Sequence, residues 1–74
     1  MMNLDFDKLG GLIPAIIQDY ESKDILMLGF MNKDAWEKTI KTKKVTFWSR
    51  TRKELWTKGE TSGNFLLVQE IYVD

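Results

Sequence analysis

The sequence predicts an α+β domain that is mostly β, with about five strands in a mixed sheet or half-barrel and one helix, completed by dimerisation. Three patterns predict this: two short apolar runs around a polar segment, one stretch with helical spacing, and alternating residues after it. The 74 residues suffice for a single domain, residues 1–74, with a thin core. Because a hydrophobic fraction of 43% barely offsets the entropy of ordering so short a chain, we expect self-association.

The first two predicted strands form a hairpin. LIPAIIQD, residues 12–19, and ILMLGFM, residues 25–31, are short apolar runs. The polar segment YESKD between them has the composition of a turn. Pro14 has no backbone N–H to donate, which suits an edge or the beginning of a strand. We therefore expect two consecutive strands joined by a short connection.

A helix is predicted from about Lys33 to about Thr42. Asn32 can cap its first turn through its side-chain oxygen. Trp36 and Ile40 lie four residues apart and share one face of such a helix. Acidic residues lie near its beginning and lysines near its end, which complements the helix dipole.

Strands follow the helix. Residues alternate between two faces from Val45 onward, and a short piece around Leu55 and Trp56 comes after a polar turn. The polar stretch KGETSGN contains two glycines and indicates a loop. A long strand is predicted from about Phe65 to Val73. Both of its faces are largely apolar, so we expect a helix or a second subunit to cover it.

Composition restricts the functional classes. Eleven basic and eleven acidic residues give a net charge of zero, which disfavours nucleic acid as a partner. No basic segment precedes an apolar leader, and no apolar run approaches about 18 residues, so we expect a cytoplasmic chain without membrane contact. The chain has no cysteine and no histidine, which leaves Asp and Glu as its only ionisable metal ligands.

The segment FWSRTRKELWTKGETSGN, residues 47–64, has the composition of a site for a phosphorylated ligand with a base. Arginine can hold a phosphate through two parallel hydrogen bonds, and glycines allow backbone N–H groups to converge on an anion. Trp48 and Trp56 could stack on a purine. Glu60 is an acid within a basic stretch and could contact a ribose hydroxyl or transfer a proton.

A purely structural interpretation of this segment stays open. Basic and hydroxyl residues near turns are usually solvated surface, and tryptophans in small domains are usually core. KGETSGN matches neither the Walker A pattern nor a dinucleotide-binding glycine turn. Ser62 is a poor nucleophile candidate, because without histidine its base would have to be Lys58.

Five stretches in order resemble the phosphoribosyl-AMP cyclohydrolases of histidine biosynthesis: GGLIPAIIQD, LMLGFMNKDA, FWSR, LWTKGETSGN and VQEIYVD. The resemblance runs from about Leu9 to Asp74. It implies a cytoplasmic enzyme that hydrolyses the N1–C6 bond of the adenine ring of phosphoribosyl-AMP. It also implies a zinc ion that activates water, a magnesium ion that assists substrate binding, and a homodimer whose sites use both subunits.

The resemblance assigns roles residue by residue. Glu60 becomes the candidate catalytic residue, for proton transfer or ribose contact, and Asp74 becomes a magnesium ligand in an incomplete site. In the family the zinc-binding cysteines follow the position of Asp74. We therefore expect this chain to bind no zinc and to be inactive alone. The candidate substrate-binding residues are Trp48, Ser49, Arg50, Arg52, Lys58, Gly59, Thr61, Ser62, Gly63 and Asn64.

Three interpretations follow. The first is a truncated or excised cyclohydrolase domain that lacks its C-terminal metal-binding segment, from a parent that could also carry a phosphoribosyl-ATP pyrophosphohydrolase. The second is a non-catalytic module that binds a purine nucleotide or dimerises. The third is an engineered fragment, for which the paired Met1 and Met2 give weak support.

Overall fold

The computed structural model describes residues 4, 6–7 and 10–73. These residues form two antiparallel pairs of strands and one helix, so the prediction of a mostly β, α+β fold is confirmed. Both pairs are antiparallel and the described residues contain four strands, so the mixed sheet of about five strands is not observed. The elements in chain order are β1 (Ile13–Gln18), β2 (Ile25–Met31), α1 (Lys33–Thr42), β3 (Thr46–Ser49) and β4 (Glu54–Thr57).

β1 and β2 form the predicted hairpin. Residues directly opposite each other include Ile13 with Met31 and Ile16 with Leu28. The connecting turn is closed by Asp19, whose Oδ1 accepts hydrogen bonds from the backbone N–H groups of Ser22 at 2.8 Å and Glu21 at 2.9 Å. A short polar side chain that accepts hydrogen bonds from backbone N–H groups two or three residues later commonly stabilises such a turn.

The helix begins and ends where the sequence predicts. Asn32 Oδ1 accepts a hydrogen bond from the Ala35 N–H at 2.8 Å, which is the expected N-cap. Lys43 follows the last turn in the left-handed conformation, with φ of 64°, and its N–H donates to the Thr39 carbonyl at 2.9 Å. The buried face contains Ala35 and Thr39, while Trp36 packs beside them at the edge of the core.

The core lies where β2, α1 and β3 meet. Its buried apolar residues are Met31, Ala35, Val45 and Phe47. Phe47 of β3 lies directly against Gly29 of β2, where an added Cβ would come within 2.5 Å of the ring. A side chain at position 29 would therefore force the two sheets apart.

Three buried threonines connect α1, β3 and β4. Thr39 Oγ1 donates to the Ala35 carbonyl at 2.8 Å and accepts from the Thr46 N–H at 3.0 Å. The Oγ1 atoms of Thr46 and Thr57 lie 3.0 Å apart. These bonds satisfy polar groups that would otherwise be costly to bury, and they fix the end of β4 against the helix.

The predicted long strand from Phe65 to Val73 is wrong for the described residues. This segment forms one isolated bridge, Lys44 with Leu67, supported by hydrogen bonds from Val45 N–H to Leu66 O and from Val68 N–H to Lys43 O. A strand needs a neighbouring strand of similar length with which to pair. Here the neighbour is the short stretch of residues 43–45, directly after α1. Pairing therefore stops after a few residues.

No helix in the described part of the chain is long and apolar enough to cross a membrane.

Candidate functional site

The candidate site is built on the loop that follows β4, residues 58–64. The loop begins with a hydrogen bond from the Lys58 N–H to the Val45 carbonyl at 3.0 Å. It then folds back on itself, because the Glu60 N–H donates to the Thr57 carbonyl at 3.0 Å and the Gly63 N–H donates to the Gly59 carbonyl at 2.6 Å. These bonds make the loop compact at the end of β4.

Gly59 is required for this fold of the loop. Its φ is +93°, a conformation that L side chains rarely adopt. A Cβ at this position would also lie within 3.0 Å of the backbone of Asn64 and Phe65. The loop therefore closes only when residue 59 has no side chain.

A concavity of about 310 Å³ lies between this loop and β4. We call it the loop concavity. Two cationic side chains, hydroxyl groups, one carboxylate and one indole surround it. Its lining residues are Arg52, Trp56, Thr57, Lys58, Gly59, Glu60, Thr61 and Ser62.

Arg52 reaches the loop concavity while paired with a carboxylate. Its Nη1 lies 3.4 Å from Glu54 Oε1, and both side chains are more than half exposed. An exposed ion pair of this kind contributes about 0–1 kcal/mol, so a phosphate could displace Glu54 at little cost. Lys58 makes no ion pair among the described residues.

The structure separates the predicted substrate-binding residues into two groups. Arg52, Lys58, Gly59, Thr61 and Ser62 line the loop concavity together with the predicted catalytic Glu60. The other predicted residues, which do not line it, are Trp48, Ser49, Arg50, Gly63 and Asn64.

Three residues of the second group make contacts elsewhere in the fold. Arg50 lies against β2, with its Cζ 4.3 Å from the centre of the Phe30 ring. Ser49 Oγ accepts a hydrogen bond from the Arg52 N–H at 3.2 Å and supports the β3–β4 turn. Trp48 packs against the core. Their assignment to the ligand stays a prediction.

Trp56, which the sequence indicates as a possible stacking partner for a purine, lines the loop concavity, as does Thr57, which was not predicted to bind the ligand. Trp56 precedes the loop and packs against Phe47, with ring centroids 5.2 Å apart. Thr57 is buried and bonded to Thr46. The signal for Thr57 was its position immediately before the KGETSGN loop, at the end of a strand.

A second concavity, of about 240 Å³, lies on the other side of Thr57 and Glu60. We call it the helix concavity, because the end of α1 forms one wall. Thr57 and Glu60 line both concavities, so the two are neighbours. Its lining residues are Lys38, Thr42, Lys44, Thr57, Glu60 and Phe65.

The described residues do not form a metal site. No three His, Cys, Asp or Glu side chains come together among them, and Asp74 lies outside the described residues. The Glu70 carboxylate accepts hydrogen bonds from the Tyr72 and Tyr20 hydroxyls. The bond from Tyr72 raises the pKa of that phenol, because the neighbouring carboxylate disfavours the phenolate. With no Cys or His in the chain, these residues do not fit zinc.

Cations, hydroxyls, a turn-forming glycine and a half-buried indole thus surround one concavity. The profile of the phosphoribosyl-AMP cyclohydrolase family matches residues 27–74. A histidine biosynthesis bifunctional protein HisIE from Bacteroides thetaiotaomicron is 66% identical over 73 residues, which cover 99% of this chain and 36% of that protein.

Relatives that are named for the cyclohydrolase alone give the same result. The phosphoribosyl-AMP cyclohydrolase of Desulfatibacillum aliphaticivorans is 62% identical over 74 residues, which cover 100% of this chain and 59% of that protein. The corresponding protein of Desulforapulum autotrophicum is 54% identical with the same coverage. This chain belongs to the phosphoribosyl-AMP cyclohydrolase family, and it spans less than two thirds of the length of these relatives.

Proposed function

We propose that the loop concavity binds phosphoribosyl-AMP as part of a cyclohydrolase that hydrolyses the N1–C6 bond of its adenine ring. The observation that carries this proposal is the convergence of Arg52, Lys58 and Trp56 around Glu60. Family membership suggests the substrate and the reaction, because the relatives are named phosphoribosyl-AMP cyclohydrolases.

Each lining group has a chemical task in this proposal. Lys58 and Arg52 bind a phosphate, for which charge-assisted hydrogen bonds are the strongest available contacts. Trp56 stacks on the adenine ring. Glu60 accepts a hydrogen bond from a ribose hydroxyl or moves a proton at the ring that opens. Thr61 and Ser62 donate hydrogen bonds to the remaining phosphate oxygens.

We assign none of the ligands of the implied zinc ion to the residues of this chain. The family's zinc requires ligands that these 74 residues do not contain. Asp74 is proposed as one magnesium ligand. The chain's own contribution is therefore substrate binding, orientation and proton transfer.

The same proposal includes a cytoplasmic homodimer that binds neither nucleic acid nor membranes. A net charge of zero disfavours polyanion binding. Dimerisation is supported by apolar residues left exposed on the hairpin, among them Ile16 at 67% and Leu28 at 59% exposure.

Tryptophan fluorescence during titration with phosphoribosyl-AMP tests the binding role. We expect a saturable change that disappears in W56F and persists in W48F, because Trp56 lines the concavity and Trp48 does not. K58Q should weaken binding roughly 10- to 100-fold, as expected for a lost charge-assisted hydrogen bond. The matched control is K41Q, on the exposed face of α1.

Absence of saturation with the unmodified protein would contradict the proposed function. So would equal affinities for K58Q and K41Q.

A further inference from the structure

The helix concavity contains two lysines that the proposed function does not use. Lys44 Nζ lies 4.1 Å from the centre of the Phe65 ring, and both residues line this concavity. A cation over an aromatic face is held in place electrostatically, so the ammonium group stays at the wall. Lys38 reaches the same space from α1, one helical turn before Thr42.

The positive charges of these two lysines are not neutralised by ion pairs among the described residues. The salt bridge found among the described residues is Arg52 with Glu54, so neither Lys38 nor Lys44 is neutralised by a carboxylate there. Glu60 is the one acidic residue that lines the helix concavity. The concavity therefore presents two positive charges and one negative charge.

The end of a helix normally disfavours an anion, because its free carbonyls carry partial negative charge. In the last turn of α1, the carbonyls of Lys38 and Thr39 are hydrogen-bonded. Thr42 Oγ1 donates to the Lys38 carbonyl at 2.8 Å, and the Lys43 N–H donates to the Thr39 carbonyl at 2.9 Å. The helix end carries only a partial negative charge of about half a unit, whereas Lys38 and Lys44 each carry a full positive charge, so the lysines outweigh it.

The proposed ligand needs more positive charge than the loop concavity supplies. Phosphoribosyl-AMP contains two phosphate monoesters, and each carries about −1.5 to −2 charges near pH 7. The loop concavity offers Arg52 and Lys58, and Arg52 is already paired with Glu54. One phosphate can be neutralised there, and the second requires cations elsewhere within reach of the same ligand.

We infer that the helix concavity is a second phosphate subsite, in which Lys38 and Lys44 bind the phosphate that the loop concavity does not hold. This inference rests on the proposed function. Thr57 and Glu60 line both concavities and therefore lie between the two phosphates. A carboxylate in that position suits the ribose hydroxyls, which lie between the phosphates of such a ligand.

Binding of two ligands to the unmodified protein and to four variants tests this inference. Phosphoribosyl-AMP carries two phosphates and AMP carries one. Calorimetric titrations compare the unmodified chain with K38Q/K44Q, with K58Q and with K41Q, whose changed lysine lies on α1 but lines neither concavity. We expect K38Q/K44Q to bind phosphoribosyl-AMP at least about 10-fold more weakly than K41Q does, which corresponds to about 1.4 kcal/mol. K44R keeps the charge and should bind nearly as the unmodified protein does.

AMP distinguishes two separate subsites from one diffuse positive surface. With separate subsites, its single phosphate occupies one concavity, so AMP binding is weakened by K58Q or by K38Q/K44Q but not by both. Equal weakening of AMP by both variants would overturn the inference, as would K38Q/K44Q binding phosphoribosyl-AMP as K41Q does. Circular dichroism confirms that each variant is folded.

The proposed function fails differently. If the unmodified protein does not bind phosphoribosyl-AMP, or if K58Q binds it unchanged, the loop concavity is not the substrate site and the second subsite is rejected with it. If K58Q weakens binding and K38Q/K44Q does not, the proposed function stands and only the second subsite is wrong.

Discussion

Gly59 shows how one residue determines the shape of the site. Two independent constraints act on it, a positive φ and the close approach of the Asn64 backbone. Gly63, four residues later, has a positive φ of 84° but nothing within 4 Å of an added Cβ. The two glycines therefore separate conformational strain from steric exclusion within one loop.

We predict that G59A is more destabilising than G63A. G63A should cost only the left-handed conformation, about 1–2 kcal/mol, whereas G59A adds a clash with backbone that cannot rotate away. Urea unfolding of both variants measures the difference. G59A should also abolish the ligand-induced fluorescence change. Equal losses of stability would show that the Asn64 backbone moves freely.

The hydroxyl of Thr57 is a second single group that matters, because it connects the loop concavity to the core. It is paired with Thr46 Oγ1 at 3.0 Å, and both side chains are buried. Thr46 keeps a second partner, the Lys44 carbonyl at 3.2 Å, so its hydroxyl is not orphaned when Thr57 is changed. The loss from removing the Thr57 hydroxyl should therefore be moderate.

We predict that T57V destabilises the protein by about 1 kcal/mol, the net value of one buried hydrogen bond. T57S retains the hydroxyl and should recover part of this loss. T51V is the matched control, because Thr51 is exposed and makes only a 3.4 Å contact with Ser49. Denaturant unfolding of the three variants checks the order. A T57V protein as stable as T51V would contradict a structural role for the pair.

At the scale of elements, local signals predicted structure well. The cap at Asn32, the turn at Asp19 and the apolar run of β2 lie within a few residues of the structure they specify. The segment from Phe65 to Val73 was predicted wrongly because a strand also needs a neighbouring strand. The sequence of one strand does not show how long its neighbour is.

The contrast between local signals and tertiary contacts also explains which parts of the candidate site could be predicted. The loop from Lys58 to Asn64 could be predicted because its glycines and polar residues are contiguous. The separation of Arg50 from Arg52 could not, because the β3–β4 turn decides which arginine faces the loop. The helix lysines could not be associated with the loop, because only tertiary packing brings α1 beside it.

The hairpin turn gives a pH-dependent prediction. Backbone N–H donation from Ser22 and then Glu21 lowers the pKa of the Asp19 carboxyl below 3.8. Because the folded-state pKa is below the unfolded value, the ionised carboxylate stabilises the fold above pH 3.8, and this contribution is lost as pH falls through the folded-state pKa.

We therefore predict that the thermal midpoint of the unmodified protein falls more steeply with acid than that of D19N, which cannot titrate at this position. The difference between the two should be constant near neutral pH and should shrink below about pH 4, close to the ordinary aspartate value. Circular dichroism melting curves at several pH values measure it. Parallel curves throughout would mean that Asp19 does not favour its charged form in the fold.

At the scale of the whole molecule, the buried apolar core is small and much apolar surface stays exposed. Four of the residues that the structure describes form the buried cluster. On the outer face of the hairpin, Ile16 lies directly opposite Leu28 and both are more than half exposed. Fully burying such side chains contributes about 1.5–3 kcal/mol each, which a domain of this size needs.

We predict that the protein dimerises and that the outer face of the hairpin is buried in the dimer. Light scattering after size exclusion should give twice the 8.7 kDa of one chain. I16K/L28K places two like charges opposite each other on that face, so it should yield monomers that unfold at lower denaturant concentration. E21K changes an exposed residue in the turn and should leave the mass at the dimer value.

A stable monomer of the unmodified protein would refute dimerisation, and a dimeric I16K/L28K protein would place the interface elsewhere. The half-paired segment from Phe65 to Val73, whose other edge lacks a ladder among the described residues, would then be the next surface to change.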